Sequence, residues 1–146
     1  MKPAYWIIVG IVVAVSSAFF YAWQKPALAP TLPLVHQPVF SDTIKITSPI
    51  PNADIQSPLK VTGEARGSWY FEASFPVRLL DANGKQIAHT PAHAKGDWMT
   101  TEFMPFEAEL IFIKPSTQNG TLLLEKDNPS GLSKNADEVR IPVRFE

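Results

Sequence analysis

Residues 69–81 read WYFEASFPVRLLD, and their spacing decides the fold. Apolar side chains recur at every second position. Trp69, Phe71, Ala73, Phe75, Val77 and Leu79 share one face, and Tyr70, Glu72, Ser74, Pro76 and Arg78 share the other. A helix buries every third or fourth residue, so period two predicts a strand with one covered side. Residues 103–113 repeat the pattern, with Met104, Phe106, Ala108, Leu110 and Phe112 set against Glu107 and Glu109. The closing residues alternate Val139, Ile141, Val143 and Phe145 with Glu138, Arg140, Pro142 and Arg144. Three such runs imply antiparallel sheets, each packed on one face and wet on the other.

Shorter runs extend the reading outward: Ile44 and Ile46, Leu59 and Val61 leading to Gly63, residues 86–89, and residues 121–124. Asn83-Gly84 and Asn119-Gly120 each lie between two runs, and Asn-Gly suits the positive φ angles of a tight hairpin. Both are expected to be hairpin turns. Pro76, Pro105 and Pro142 fall inside strands, where a residue without an N–H is confined to an edge, a bulge or a strand end. About seven strands in about 100 residues predict an all-β, immunoglobulin-like antiparallel β-sandwich over residues 43–146.

Two segments precede that domain. Residues 4–23 read AYWIIVGIVVAVSSAFFYAW, twenty residues without a charge between Lys2 and Lys25. At about 1.5 Å per residue they span about 30 Å, the hydrocarbon thickness of a bilayer. Tyr5, Trp6, Tyr21 and Trp23 stand at the two ends, where aromatic rings settle among headgroups. Residues 1–23 are therefore expected to be a transmembrane anchor. A cleaved signal peptide is the competing reading, with Ser16 and Ala18 as small residues before the cut, but Phe19, Phe20 and Tyr21 prolong the apolar run. Lys2 and the amino terminus outweigh Lys25, which places the N-terminus inside and the domain outside the cytoplasm. Gly10 and Ala14 lie four apart, a pattern that permits close helix pairing. Residues 24–42 carry Pro26, Pro30, Pro33 and Pro38 and are expected to be an extended spacer.

Composition excludes several functions. From Thr43 onward there are 11 basic and 13 acidic side chains with no block of either sign, so the concentrated basic face that nucleic acid needs is missing. The chain has no cysteine, which removes disulfides, thiolate catalysis and thiolate zinc sites.

The string ITSPIPNADIQSPLKVTGEARGSWYFEASFPVRLLDANGKQIA, followed by GDWMTTEFMPFEAELIF and VRIPVRF, resembles a known bacterial family. It is similar to the immunoglobulin-like domain that accompanies the GerMN domain in spore-germination lipoproteins, the second of two germination-associated domains. Four features carry the resemblance: SPxPxxxIxSPLxVxGxA, the pair Phe71-Glu72, the DxNG hairpin, and Asp97-Trp98 shortly before Pro105-Phe106. The resemblance implies an immunoglobulin-like sandwich exposed at the bacterial envelope, with no established catalytic activity. The sequence shows neither a lipobox cysteine nor a GerMN domain, so a role in germination is not carried over.

Candidate sites are few. Three adjacent aromatics cannot all face inward from a strand, so Tyr70 is expected to point outward and offer a stacking surface beside Glu72 and Trp98. The plainer reading has Trp69 and Phe71 filling the core and Glu72 meeting Arg78 or Arg140 across the sheet. His89, His93 and Asp97 recur every fourth residue, but Pro91 and Gly96 read as loop, where that spacing builds no metal site. Asp97, Glu102, Glu107 and Glu109 match no calcium motif and read as solvated carboxylates. Glu107 and Glu109 share a strand face, yet nothing around them supplies the cleft of a glycosidase. No GxSxG elbow is present, and no cofactor or metal is expected.

The expected function is a non-enzymatic, single-pass module of the bacterial cell membrane, held by residues 4–23. Its domain would bind another envelope protein or a cell-wall polymer through a strand edge or loop face. The alternatives are a structural or regulatory ectodomain acting through self-association of the membrane helix, and, far behind, an envelope hydrolase.

Overall fold

The computed structural model describes residues 39–146. The expected anchor at residues 4–23 and most of the expected spacer lie outside the described residues. Among the described residues, no helix is long and apolar enough to cross a membrane.

Nine strands form in chain order: β1 (Val39–Phe40), β2 (Ile44–Ser48), β3 (Ala53–Ile55), β4 (Leu59–Arg66), β5 (Ser74–Asp81), β6 (Gln86–Ala94), β7 (Phe103–Leu110), β8 (Asn119–Glu125) and β9 (Glu138–Phe145). Their hydrogen-bonded order is β1-β2-β4-β7-β6-β5-β8-β9-β3. All pairs are antiparallel except β3 with β9. The order folds into two layers, because β6 pairs with β5 along its length but with β7 only through His93↔Glu107 and Ala94↔Phe106. One layer is β1-β2-β4-β7, and the other is β6-β5-β8-β9-β3. This is the expected immunoglobulin-like sandwich, with more strands than the seven read from the periodicity. The additional strands β1 and β3, two and three residues long, are too short to show a period.

Between the layers the alternating residues meet as expected. Phe75, Val77 and Leu79 of β5 pack with Phe106, Ala108 and Leu110 of β7 and Ile141, Val143 and Phe145 of β9 in one apolar cluster. Phe75 stands edge-on to Phe106, with ring centroids 5.0 Å apart. Phe112 meets Phe145 at 5.8 Å toward the other end. Leu123 is the exception to this pattern. It is buried but lies outside the core cluster, on the outer face, where register sets it between Arg78 and Arg140. Long arginine stems can cover an apolar side chain in this way.

The proline expectation holds in detail. β5 gains its second neighbour, β8, from Val77, one residue after Pro76; β7 gains β6 from Phe106, after Pro105; β9 gains β3 from Val143, after Pro142. Each proline therefore sits just outside its strand's second ladder, where a missing N–H disturbs least.

The expected strand over residues 69–81 begins only at Ser74. Before it, Gly67–Trp69 forms a single 3₁₀ turn, and Phe71 and Ser74 exchange backbone bonds of 2.9 and 3.1 Å around Glu72 and Ala73. These two turns break the alternation. Tyr70 consequently faces inward and Phe71 outward, the reverse of the periodic reading.

Of the two Asn-Gly pairs, only one makes a hairpin. At Asn83-Gly84 the Gly84 N–H donates to the Asp81 carbonyl at 3.0 Å, with Gly84 at φ +77°, and β5 returns as β6. Asn119-Gly120 instead opens β8, opposite Arg144 and Val143. β7 and β8 belong to different layers, so the segment joining them crosses over and cannot be a tight turn. Gly120 is needed for close approach: a Cβ there would lie 2.5 Å from the Leu80 carbonyl oxygen and 2.6 Å from the Phe145 ring.

Gly120→Ala is accordingly expected to lower unfolding stability by about 1–3 kcal/mol through overpacking, read as a lower urea midpoint at unchanged slope. A neutral result would mean that β5, β8 and Phe145 do not converge there. Phe75→Ala should cost about 3–5 kcal/mol as a core truncation, and a loss near zero would contradict its place between the layers.

Candidate functional site

Three connections converge at the end of the sandwich that holds Gly67 through Ala73. The Gly67 N–H donates to the Thr100 carbonyl at 3.1 Å, and the Ala94 N–H donates to the Ala73 carbonyl at 2.9 Å. The Asp127 N–H donates to the Trp69 carbonyl at 3.0 Å. The segment from Gly67 to Ala73 is thus anchored to the β6–β7 loop, to the end of β6 and to the loop that leaves β8, the turn at residues 71–74 through Ala73.

Glu72 and Ala73 have φ of 50° and 63°. A two-residue hairpin of this kind requires positive φ at both central positions, which is why Asn and Gly dominate there. Here the positions hold a charged and a β-carbon-bearing residue, each at a cost of about 1–2 kcal/mol against its right-handed alternative. The turn projects Phe71, 44% exposed, and Glu72, also exposed. Met99 and Leu132 are exposed on the flanking loops. Beginning at Ser74, a groove of about 270 Å³ runs along β5 and β6 between Pro76, Arg78, His89, Pro91 and Asp127.

The three residues singled out from the sequence all come to this end, in different roles. Tyr70 is buried rather than outward, packed at 5.3 Å from Phe75, and its hydroxyl donates to the Met104 carbonyl at 2.8 Å. It ties the turn to β7 and offers no stacking surface. Trp98 is half-buried and packs against the core. Only Glu72 stands free at the apex. It meets neither Arg78 nor Arg140, because Arg78 is held by Glu125 in a two-pronged pair and Arg140 by Glu138. Trp69 fills the core as expected, while Phe71 does not. The indole N–H of Trp69 is buried without an acceptor.

Sequence periodicity missed the groove. The strand expected over residues 86–89 runs on to Ala94, so that His89 and also His93, read as loop, lie on β6 opposite Arg78 and Ser74. The run Ala88, Thr90, Ala92 and Ala94 is too small and mixed to register as an apolar face.

The remaining charges form surface pairs. Glu107 contacts Lys60 at 3.0 Å and Lys95 at 3.4 Å, and these two cations, Lys60 foremost, hold its carboxyl below the usual range. The hydrogen bonds from Arg144, at 2.7 and 2.9 Å, likewise lower Asp54. Asp97 accepts the Met99 N–H in its own loop. Among the described residues, no three His, Asp or Glu side chains gather closely enough to hold a metal ion.

Burial pushes the Tyr70 hydroxyl up to about 12. The fold therefore keeps a proton that the unfolded chain releases near 10.0, so stability falls as pH rises through the interval between them. Residues 39–146 contain no other tyrosine, so phenolate absorbance of that part of the chain reports Tyr70 alone. The folded form should ionise near pH 12 and the urea-unfolded form near 10; equal midpoints would show an exposed hydroxyl.

No curated protein and no solved structure matches the chain. A family model does, over residues 43–133, from the start of β2 through the loop after β8. The Asp81–Gly84 hairpin, the Phe71–Glu72 turn and the pairings among β2, β4, β5, β6, β7 and β8 fall within that match, whereas β1 and β9 lie outside it. The chain belongs to the family of the immunoglobulin-like domain of bacterial spore germination.

Proposed function

We propose that this protein is a non-catalytic recognition module of the bacterial envelope. An apolar N-terminal helix, residues 4–23, anchors it, and it contacts another envelope protein or a cell-wall polymer through the turn at residues 71–74 and the adjoining groove. The observation that carries this reading is the turn itself. Two non-glycine residues are kept at positive φ at an exposed apex, although Asn-Gly would close the same hairpin with less strain. Strain of this kind persists where the projected side chains are used. Phe71 supplies apolar contact, Glu72 a charge, and the groove a proline-walled channel beside them.

A photo-crosslinking residue at position 99 of the full chain, exposed on the loop beside the turn, is expected to give adducts with a protein or glycan in native envelopes. The same residue at position 60, exposed on the other layer, is expected to give none. Phe71→Ala should weaken the adduct without lowering the urea midpoint, since Phe71 lies outside the core. Relieving the turn with Glu72→Asn and Ala73→Gly should raise stability by about 1–2 kcal/mol while reducing the adduct. A stabilised variant that crosslinks as before would assign no role to Glu72, and an absent adduct at position 99 would remove this end from recognition.

A further inference from the structure

β6 is the edge of its layer, and one residue keeps that edge open. The Ala94 N–H donates to the Ala73 carbonyl on the β5 side, whereas the Lys95 N–H donates to the Pro105 carbonyl of β7. Backbone groups alternate sides along a strand. From Ala88 onward the even residues of β6 therefore bond toward β5, and the odd residues face β7. Among the odd residues, His93 pairs with Glu107. Two residues back, the same ladder would set Pro91 against Glu109. Pro91 has no N–H to give, and the ladder ends before it. On the β5 side Pro91 lies opposite Pro76, a pair that can exchange no bond, in keeping with a nitrogen turned to the open side.

The open edge presents the His89 N–H, the His89 carbonyl and the Pro91 carbonyl, with no strand opposite them among the described residues. These groups border the groove already described, whose walls include His89 and Pro91 on β6 and Pro76 and Arg78 on β5. Backbone donors and acceptors at strand spacing are matched by another extended backbone, which returns acceptors and donors at the same repeat. Charge narrows the occupant further. Arg78 in the groove is neutralised by Glu125. Asp127, the carboxylate in its lining, is in no ion pair among the described residues, and neither is Glu72 beside the Ser74 end. A cationic side chain complements both.

We propose that β6 takes an extended, cationic segment of an envelope protein as an added strand, its backbone on His89 and Pro91 and a lysine or arginine on Asp127. The proposal deepens the recognition reading above and rests on it. Pro91 keeps the pairing short, which also protects the edge from indiscriminate association.

The chain has three histidines, so isotope labelling of histidine alone gives a simple amide spectrum of the full chain in zwitterionic detergent. The His93 amide, paired with Glu107, should exchange slowly with solvent, and the His89 amide rapidly. Two mixtures of acetylated hexapeptides serve as probes, randomised at four positions and carrying lysine at the other two in one mixture and glutamate in the second. A disaccharide of N-acetylated amino sugars is the third probe. The lysine mixture should slow exchange at His89, and the other probes should leave it unchanged. Asp127→Asn should weaken that binding about two- to fivefold, the scale of an exposed charge pair. His89→Ala, which keeps the N–H, should bind as the native chain does, whereas His89→Pro, which removes it, should not. If His89→Pro lowers the urea midpoint, exchange at the native His89 decides alone. Equal slowing by the lysine and glutamate mixtures overturns the cationic strand, as does slowing by the disaccharide alone or by none of the three. If such a chain still crosslinks from position 99 in native envelopes, the recognition reading stands and only the added strand falls; without that adduct both fall.

Discussion

The packing around Phe75 is the constraint on which the rest of the domain depends. Its ring touches Phe106 across the interlayer space, Trp69 at 5.6 Å and Tyr70 at 5.3 Å. Edge-on aromatic contacts of this kind stabilise beyond the area they bury. They also impose geometry. Phe106 fixes the spacing of β5 and β7, and Trp69 and Tyr70 can reach the same ring only because the chain coils into a 3₁₀ turn instead of continuing β5 backward. That coil moves Phe71 to the surface and forces the tight reversal at Glu72 and Ala73. The strained apex is thus a consequence of how the core is closed beneath it.

The two ends of the sandwich consequently differ in character. At one end the chain returns through a strained turn, tied by backbone bonds to three other segments and underpinned by the Tyr70 hydroxyl on Met104. At the other, the Asp81–Gly84 hairpin closes with an ordinary glycine and the crossover from β7 to β8 leaves Ile111 and Ile113 outside.

Electrostatics play a peripheral part. No charged residue is buried among the described residues, and the ion pairs lie on the outer faces. Exposed pairs of this kind are screened by water and salt and contribute little individually. They set which strands tolerate which neighbours, as where Arg144 bridges to Asp54 between the parallel strands β9 and β3. Without disulfides, cohesion falls to apolar burial between the layers.

Much of this was legible in the sequence because side-chain alternation is a local property. The runs at residues 103–110 and 138–145, and the second half of the run at residues 69–81, face as their period requires. The prolines sit at ladder boundaries because a missing N–H is likewise a local fact. The Asp81–Gly84 hairpin follows from its turn chemistry alone. What only the tertiary structure decided is where two segments distant in the chain come together. Tyr70 turned inward because Phe75 and the Met104 carbonyl were there to receive it. Asn119-Gly120 lost its turn because β7 and β8 were assigned to different layers, leaving Gly120 pressed between Leu80 and Phe145. Glu72 reached the apex because the coil beneath it left no other course. Periodicity records which residues prefer burial, whereas the partner that buries them is chosen by packing across the fold.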